Sequence, residues 1–113
     1  MRTREVAPDQ WVSFFEQFSR IHHRKAVGMT TMGHDLGVQT NARNLQLMGI
    51  TAERAEAGGC QVEIMLGEAP DAHLAHTIKR PSHLRVAEWN DDYSAALQIE
   101  SEEGWVTLLQ VIV

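Results

Sequence analysis

Residues 58–66 read Gly58-Gly59-Cys60-Gln61-Val62-Glu63-Ile64-Met65-Leu66, and their order decides the fold class. Ala57-Gly58-Gly59 permits a tight reversal. Behind it Cys60, Val62, Ile64 and Leu66 alternate with Gln61, Glu63 and Met65, the period of two expected of a strand buried on one face. Further along, Gly67 to Asp71 reads as a loop, and Ala72 to Ile78 and Ser82 to Trp89 read as strands flanking Lys79-Arg80-Pro81, where Pro81 keeps Arg80 out of helical geometry. Ala95 to Glu100 and Trp105 to Val113 form a second hairpin across Ser101-Glu102-Glu103-Gly104. The closing Val-Thr-Leu-Leu-Gln-Val-Ile-Val is too apolar for an exposed edge, so it is expected to be a central strand or an interface. On the N-terminal side, Lys25 to Met32 is a strand ended by Gly33-His34-Asp35-Leu36-Gly37. A stretch from Val38 leads into another at Asn44 to Ala52, where Gly49 marks a bulge.

One segment breaks the pattern. From Pro8 to His22, Trp11, Phe14, Phe15, Phe18 and Ile21 recur at helical spacing, with Gln10, Ser13, Glu16, Gln17 and Arg20 opposite. Pro8 suits the first turn, Asp9 the positive end of the helix dipole, and His22, His23, Arg24 and Lys25 the negative end. All three phenylalanines of the protein lie on this helix, so it must cover a large apolar surface made by the rest of the chain. The expected fold is therefore α+β: an N-terminal amphipathic helix packed on a curved antiparallel sheet or partly open barrel of about six or seven strands. With 113 residues, and roughly two-thirds of the extended surface available for burial, the chain reads as a single domain, 1–113.

The composition excludes several function classes. Ten Lys and Arg stand against 15 Asp and Glu, a net charge of −5. Residues 1–25 carry five basic side chains (Arg2, Arg4, Arg20, Arg24, Lys25) and three acidic ones (Glu5, Asp9, Glu16), leaving five against twelve, or −7, for the rest. Such a body repels nucleic acid and anionic membranes alike. No signal-peptide-like stretch and no run of about 18 apolar residues is present, so the expected location is the cytoplasm. A single cysteine, Cys60, can make neither an intrachain disulfide nor a thiol-rich zinc site.

Six histidines are the one abundance that could signal chemistry. His73 and His76 would share a helical face, but on a strand an odd spacing sends them to opposite faces. A metal site would have to recruit His83, Asp71 or Glu68 from neighbouring segments. His22-His23 fits a helix C-terminus, and His34-Asp35 fits a hydrogen-bonded turn. Ser82 beside His83 and Thr77 beside His76 lack the Gly-x-Ser-x-Gly context of a nucleophile elbow. Asp91-Asp92 has no calcium-loop spacing, and Gly28, Gly33 and Gly37 form no phosphate-cradling loop. Met29, Met32, Met48 and Met65 read as core fillers rather than a sticky surface.

The order of motifs is Glu5-Val-x-x-Asp-Gln-Trp11, Phe14-Phe15-Glu-Gln-Phe18-Ser19-Arg20, Asp35-Leu-Gly37, Leu45-Gln-Leu-Met-Gly49-Ile50, Ile64-Met-Leu-Gly67, Asp71-Ala-His73-Leu-Ala-His76-Thr-Ile78, Pro81, Leu97-Gln-Ile-Glu-Ser101 and Gly104. Taken together it resembles a family of short bacterial proteins known only as a domain of unknown function. The resemblance implies a single-domain bacterial protein and carries over no activity, cofactor or catalytic residue. From the residues themselves, the leading expectation is a non-catalytic binding or protein-interaction module, a homodimer with a protein or small-molecule partner, and no cofactor. Two alternatives stand beside it. One is a metal-binding protein or enzyme built on His73 and His76 with His83 and Asp71. The other is a small-ligand carrier with a pocket between helix and sheet, lined by Trp11, Phe15, Trp89 or Trp105.

Overall fold

The computed structural model describes residues 2–33, 37–54, 59–69, 72–89 and 95–112. Among them eight strands form one antiparallel sheet: β1 (Arg2–Val6), β2 (Ala26–Gly33), β3 (Gly37–Arg54), β4 (Cys60–Ala69), β5 (Ala72–Lys79), β6 (Pro81–Glu88), β7 (Ala95–Ser101) and β8 (Val106–Val111). Their order across the sheet is β1-β6-β7-β8-β2-β3-β4-β5. Pro8–Gln10 is a single 3-10 turn that leads into α1 (Trp11–Ile21).

The strand count exceeds the expected six or seven for a physical reason. β1 is defined by its backbone ladder to β6 rather than by burial, for Arg2 to Glu5 are exposed and Val6 alone is buried. An edge strand of this kind has no alternating apolar signal to find. The Val38 stretch and Asn44 to Ala52 fuse into the 18-residue β3. The pairing of β3 with β4 slips by one residue between Leu47 and Gly49, as expected of a bulge at Gly49. The turn expected at Ala57-Gly58 lies outside the described residues.

By hydrogen bonding the sheet is open, with β1 and β5 as its edges. It is nevertheless strongly curled. β5 is one edge of the strand order and β6 is the second strand from the other, yet the two are joined by Arg80 alone, in the left-handed region at φ 50°. A flat sheet could not make that connection. The Glu102 amide donates to the Arg80 carbonyl at 2.9 Å and the Arg80 guanidinium pairs with Glu103, which ties this corner to the β7–β8 turn.

The concave face holds the core. Alternate residues point inward on each strand: Val27 and Met29 from β2, Val62, Ile64 and Leu66 from β4, Leu84 and Val86 from β6, Leu97 and Ile99 from β7, Leu109 and Val111 from β8. β8 is central, flanked by β7 and β2, with Leu109 in register with Leu97 on one side and Met29 on the other. Its apolar ladder is thus covered within the chain, which removes the reason for assigning that strand to an interface. α1 closes one end of the trough. Trp11, Phe15 and Phe18 are buried, the Trp11 indole Nε1 donates to the Val6 carbonyl at 2.9 Å, and the Ser19 hydroxyl accepts from the Ile50 amide at 2.9 Å. Ile21 departs from the expected apolar face and is 53% exposed. His22 takes the inward position instead, its ring 4.4 Å from that of Phe18.

Candidate binding site at the open end of the sheet

The interior changes character along the strands. Near α1 the inward residues are Val27, Val111 and Ala95, and one step further they are Met29, Leu109 and Leu97. At the opposite end the same three ladders present Thr31, Thr107 and Ser101, which remain only 8%, 2% and 6% exposed. Thr31 and Thr107 are directly paired across β2 and β8. At the level of Thr31 and Thr107 β7 still presents the buried Ile99, and Ser101 lies one inward position further along. Such buried hydroxyls are informative because each costs free energy unless it is matched.

From across the trough β5 contributes His76. Leu74, His76 and Ile78 face inward on this strand, while His73, Ala75, Thr77 and Lys79 are exposed. His76 Nε2 and the Thr107 hydroxyl lie 3.3 Å apart and share a hydrogen bond, the closest measure of how far the sheet curls. Burial lowers the His76 pKa from its ordinary value, so the ring is neutral in the neutral pH range. Trp105 forms one wall. Its amide donates to the Ser101 hydroxyl at 3.1 Å, and its ring lies so close to Gly33 that a β-carbon there would sit 3.0 Å from the indole. Between these groups is a cleft of about 370 Å³, with Gln39, Lys79 and Glu103 at its edge. That volume suits a small molecule. The arrangement offers hydroxyls, a neutral imidazole and an aromatic wall, a set suited to holding a ligand.

The whole described length follows one pattern, for a single family model matches residues 2–112. The chain belongs to DUF5335, a family of unknown function. No curated protein and no solved structure matches it.

In this DUF5335 chain the histidines singled out from the sequence do not converge. His73 is exposed on the convex side and His76 faces the trough. His83 lies on the convex side of β6, where its Nδ1 is 3.2 Å from Glu5 and Arg85 links Glu5 to Glu100. Asp71, His34, Asp35, Asp91 and Asp92 lie outside the described residues, as does the side chain of Glu68. Among the described residues no group of three or more His, Cys, Asp or Glu side chains could hold a metal ion. No described helix is long and apolar enough to cross a membrane.

The aromatic residues expected to line one helix–sheet pocket are divided between three places. Trp11 and Phe15 are buried core. Trp105 is at the open end, and Trp89 lines a separate cleft beside α1. Sequence reasoning missed Thr31, Ser101 and Thr107. Their signal was present, since each falls in phase with the apolar residues of its own strand.

The buried His22 and the half-buried His76 contribute a pH dependence to stability. Burial, reinforced by Lys25 and opposed by Glu88, lowers the pKa of His22, and burial lowers that of His76. A base with a depressed folded pKa binds fewer protons folded than unfolded, so stability is whole above the unfolded value of 6.5 and is lost as pH falls below it. The denaturation midpoint should therefore fall as the pH is taken from above 6.5 to below it. Urea titrations of the wild type and of His22→Phe should show a shallower fall in the variant.

Proposed function

We propose that the protein is a non-catalytic binding module whose open-ended trough holds a small, polar, uncharged ligand bearing a flat ring. The observation that carries this reading is the change of the inward ladders from apolar to hydroxyl-bearing at Thr31, Ser101 and Thr107, facing His76. A charged ligand would enter an interior that offers no formal charge to balance it, whereas hydroxyl and carbonyl groups would find partners. The Trp105 ring supplies a stacking surface. Lys79 and the Arg80–Glu103 pair stay at the rim, where opposite charges offset one another.

The test is a ligand-observed NMR screen that compares ring-bearing polyols and neutral heterocycles with apolar hydrocarbons of the same size. Saturation transfer to the polar set, abolished in Trp105→Ala, is the expected result. Hits that bind the Trp105→Ala variant as well as the wild type would sink the proposal. Gly33→Ala tests the wall from beneath. Its added methyl pushes the indole outward, so the Trp105 fluorescence should shift and binding should weaken, while unfolding by urea changes by no more than about 1–3 kcal/mol.

A further inference from the structure

A second cleft, of about 410 Å³, lies on the other side of the molecule between the C-terminal half of α1 and the strands β1, β6 and β7. Its walls are apolar: Phe14 and Phe18, whose rings stack at 5.9 Å, face Val86, Ala95 and Trp89. Ile21 and Trp89 are both large apolar side chains left substantially exposed beside it. The rim carries one cation and one anion. Arg4 holds its guanidinium 5.5 Å from the centre of the Phe14 ring, and its Nη2 is 3.6 Å from Glu88 Oε1, with both side chains about half exposed. Such a long, solvated pair contributes little to stability, so a ligand can compete for either member at small cost. The remaining polar groups are Gln17, on an exposed position of α1, and His22, whose Nδ1 is the one buried side-chain nitrogen or oxygen without a hydrogen-bond partner among the described residues.

We infer that this cleft is a binding site for a small zwitterion with an apolar side chain, an aromatic or large aliphatic amino acid. The carboxylate takes the Arg4 guanidinium, the ammonium takes the Glu88 carboxylate on the His22 side, and the side chain enters between Phe14, Phe18 and Trp89. Charge complementarity selects this class. A pure anion would meet Glu88 and a pure cation would meet Arg4, while a neutral apolar molecule would leave both rim charges partly desolvated. The site is separate from the open-end trough, and each can fail without the other.

L-phenylalanine is the probe, titrated into the full chain with the Trp89 indole resonance as readout, alongside phenethylamine, which lacks the carboxylate, and 3-phenylpropionate, which lacks the ammonium. Saturable movement of the Trp89 signal is expected, with each monopolar analogue about tenfold weaker. Arg4→Gln should weaken phenylalanine about tenfold and leave phenethylamine unchanged, and Glu88→Gln should weaken phenylalanine and leave 3-phenylpropionate unchanged. Both substitutions are on exposed side chains, and an unaltered amide spectrum elsewhere verifies the fold. The inference is overturned if millimolar phenylalanine leaves Trp89 unmoved, or if the zwitterion and its monopolar analogues bind wild-type protein equally.

Discussion

Leu109→Ala lowers the stability of the fold by about 2–5 kcal/mol, and Leu109→Arg leaves no folded protein. Leu109 is fully buried at the centre of β8, between Leu97 and Met29 in register. Truncation to alanine removes the transfer free energy of three carbons and leaves a cavity that a central strand, fixed by ladders on both sides, cannot collapse to fill. An arginine at the same position has no route for its charge to reach water. The contrasting substitution is Met65→Arg on the convex face of β4, where the side chain is 41% exposed and the change should stay within about 0.5 kcal/mol. Urea unfolding followed by far-UV circular dichroism measures all three. If β8 were instead an interface strand, Leu109→Arg would yield folded protein of reduced mass in solution.

The second large effect falls on binding. Thr107→Val keeps the shape of the side chain and removes the hydroxyl that meets His76 at 3.3 Å. One polar partner at the deepest point of the trough is lost and the imidazole is left unmatched, so ligand affinity should fall about tenfold or more. Stability should change far less than in Leu109→Ala, because valine suits a strand and its added methyl occupies the place of the hydroxyl. Calorimetric titration of a screened ligand into wild type and variant measures the first quantity, and urea unfolding the second. Equal affinities would show that the ligand does not reach Thr107.

Much of the fold was legible because one-sided burial leaves a period of two. Cys60 to Leu66 and Ala95 to Ser101 carry it plainly, and the helix is marked by Trp11, Phe15 and Phe18 together with Pro8. β1 was not legible, since Arg2-Thr3-Arg4-Glu5 buries nothing and is held by backbone bonds to β6. The curl was not legible either. It depends on Arg80 joining edge strand β5 to β6, the strand next to the opposite edge, a relation that local pattern does not contain. For the site the outcome is mixed. Odd spacing on a strand already separated His73 from His76, and Trp89 does line a cleft, yet the three hydroxyl residues were passed over because Thr and Ser are unremarkable in strands. What distinguishes them is phase: Thr31 follows Val27 and Met29, Ser101 follows Leu97 and Ile99, and Thr107 precedes Leu109 and Val111, each on the face that is otherwise apolar.

The most direct test of the central claim is a map of backbone amide and indole chemical-shift changes on titrating a hit from the neutral ring-bearing set into isotopically labelled protein. The account predicts that the largest changes fall on Thr31, Ser101, Thr107 and the Trp105 indole, with the Trp89 indole unmoved. Changes confined to the cleft beside α1 or to the convex face, with the Trp105 indole unmoved, would contradict it.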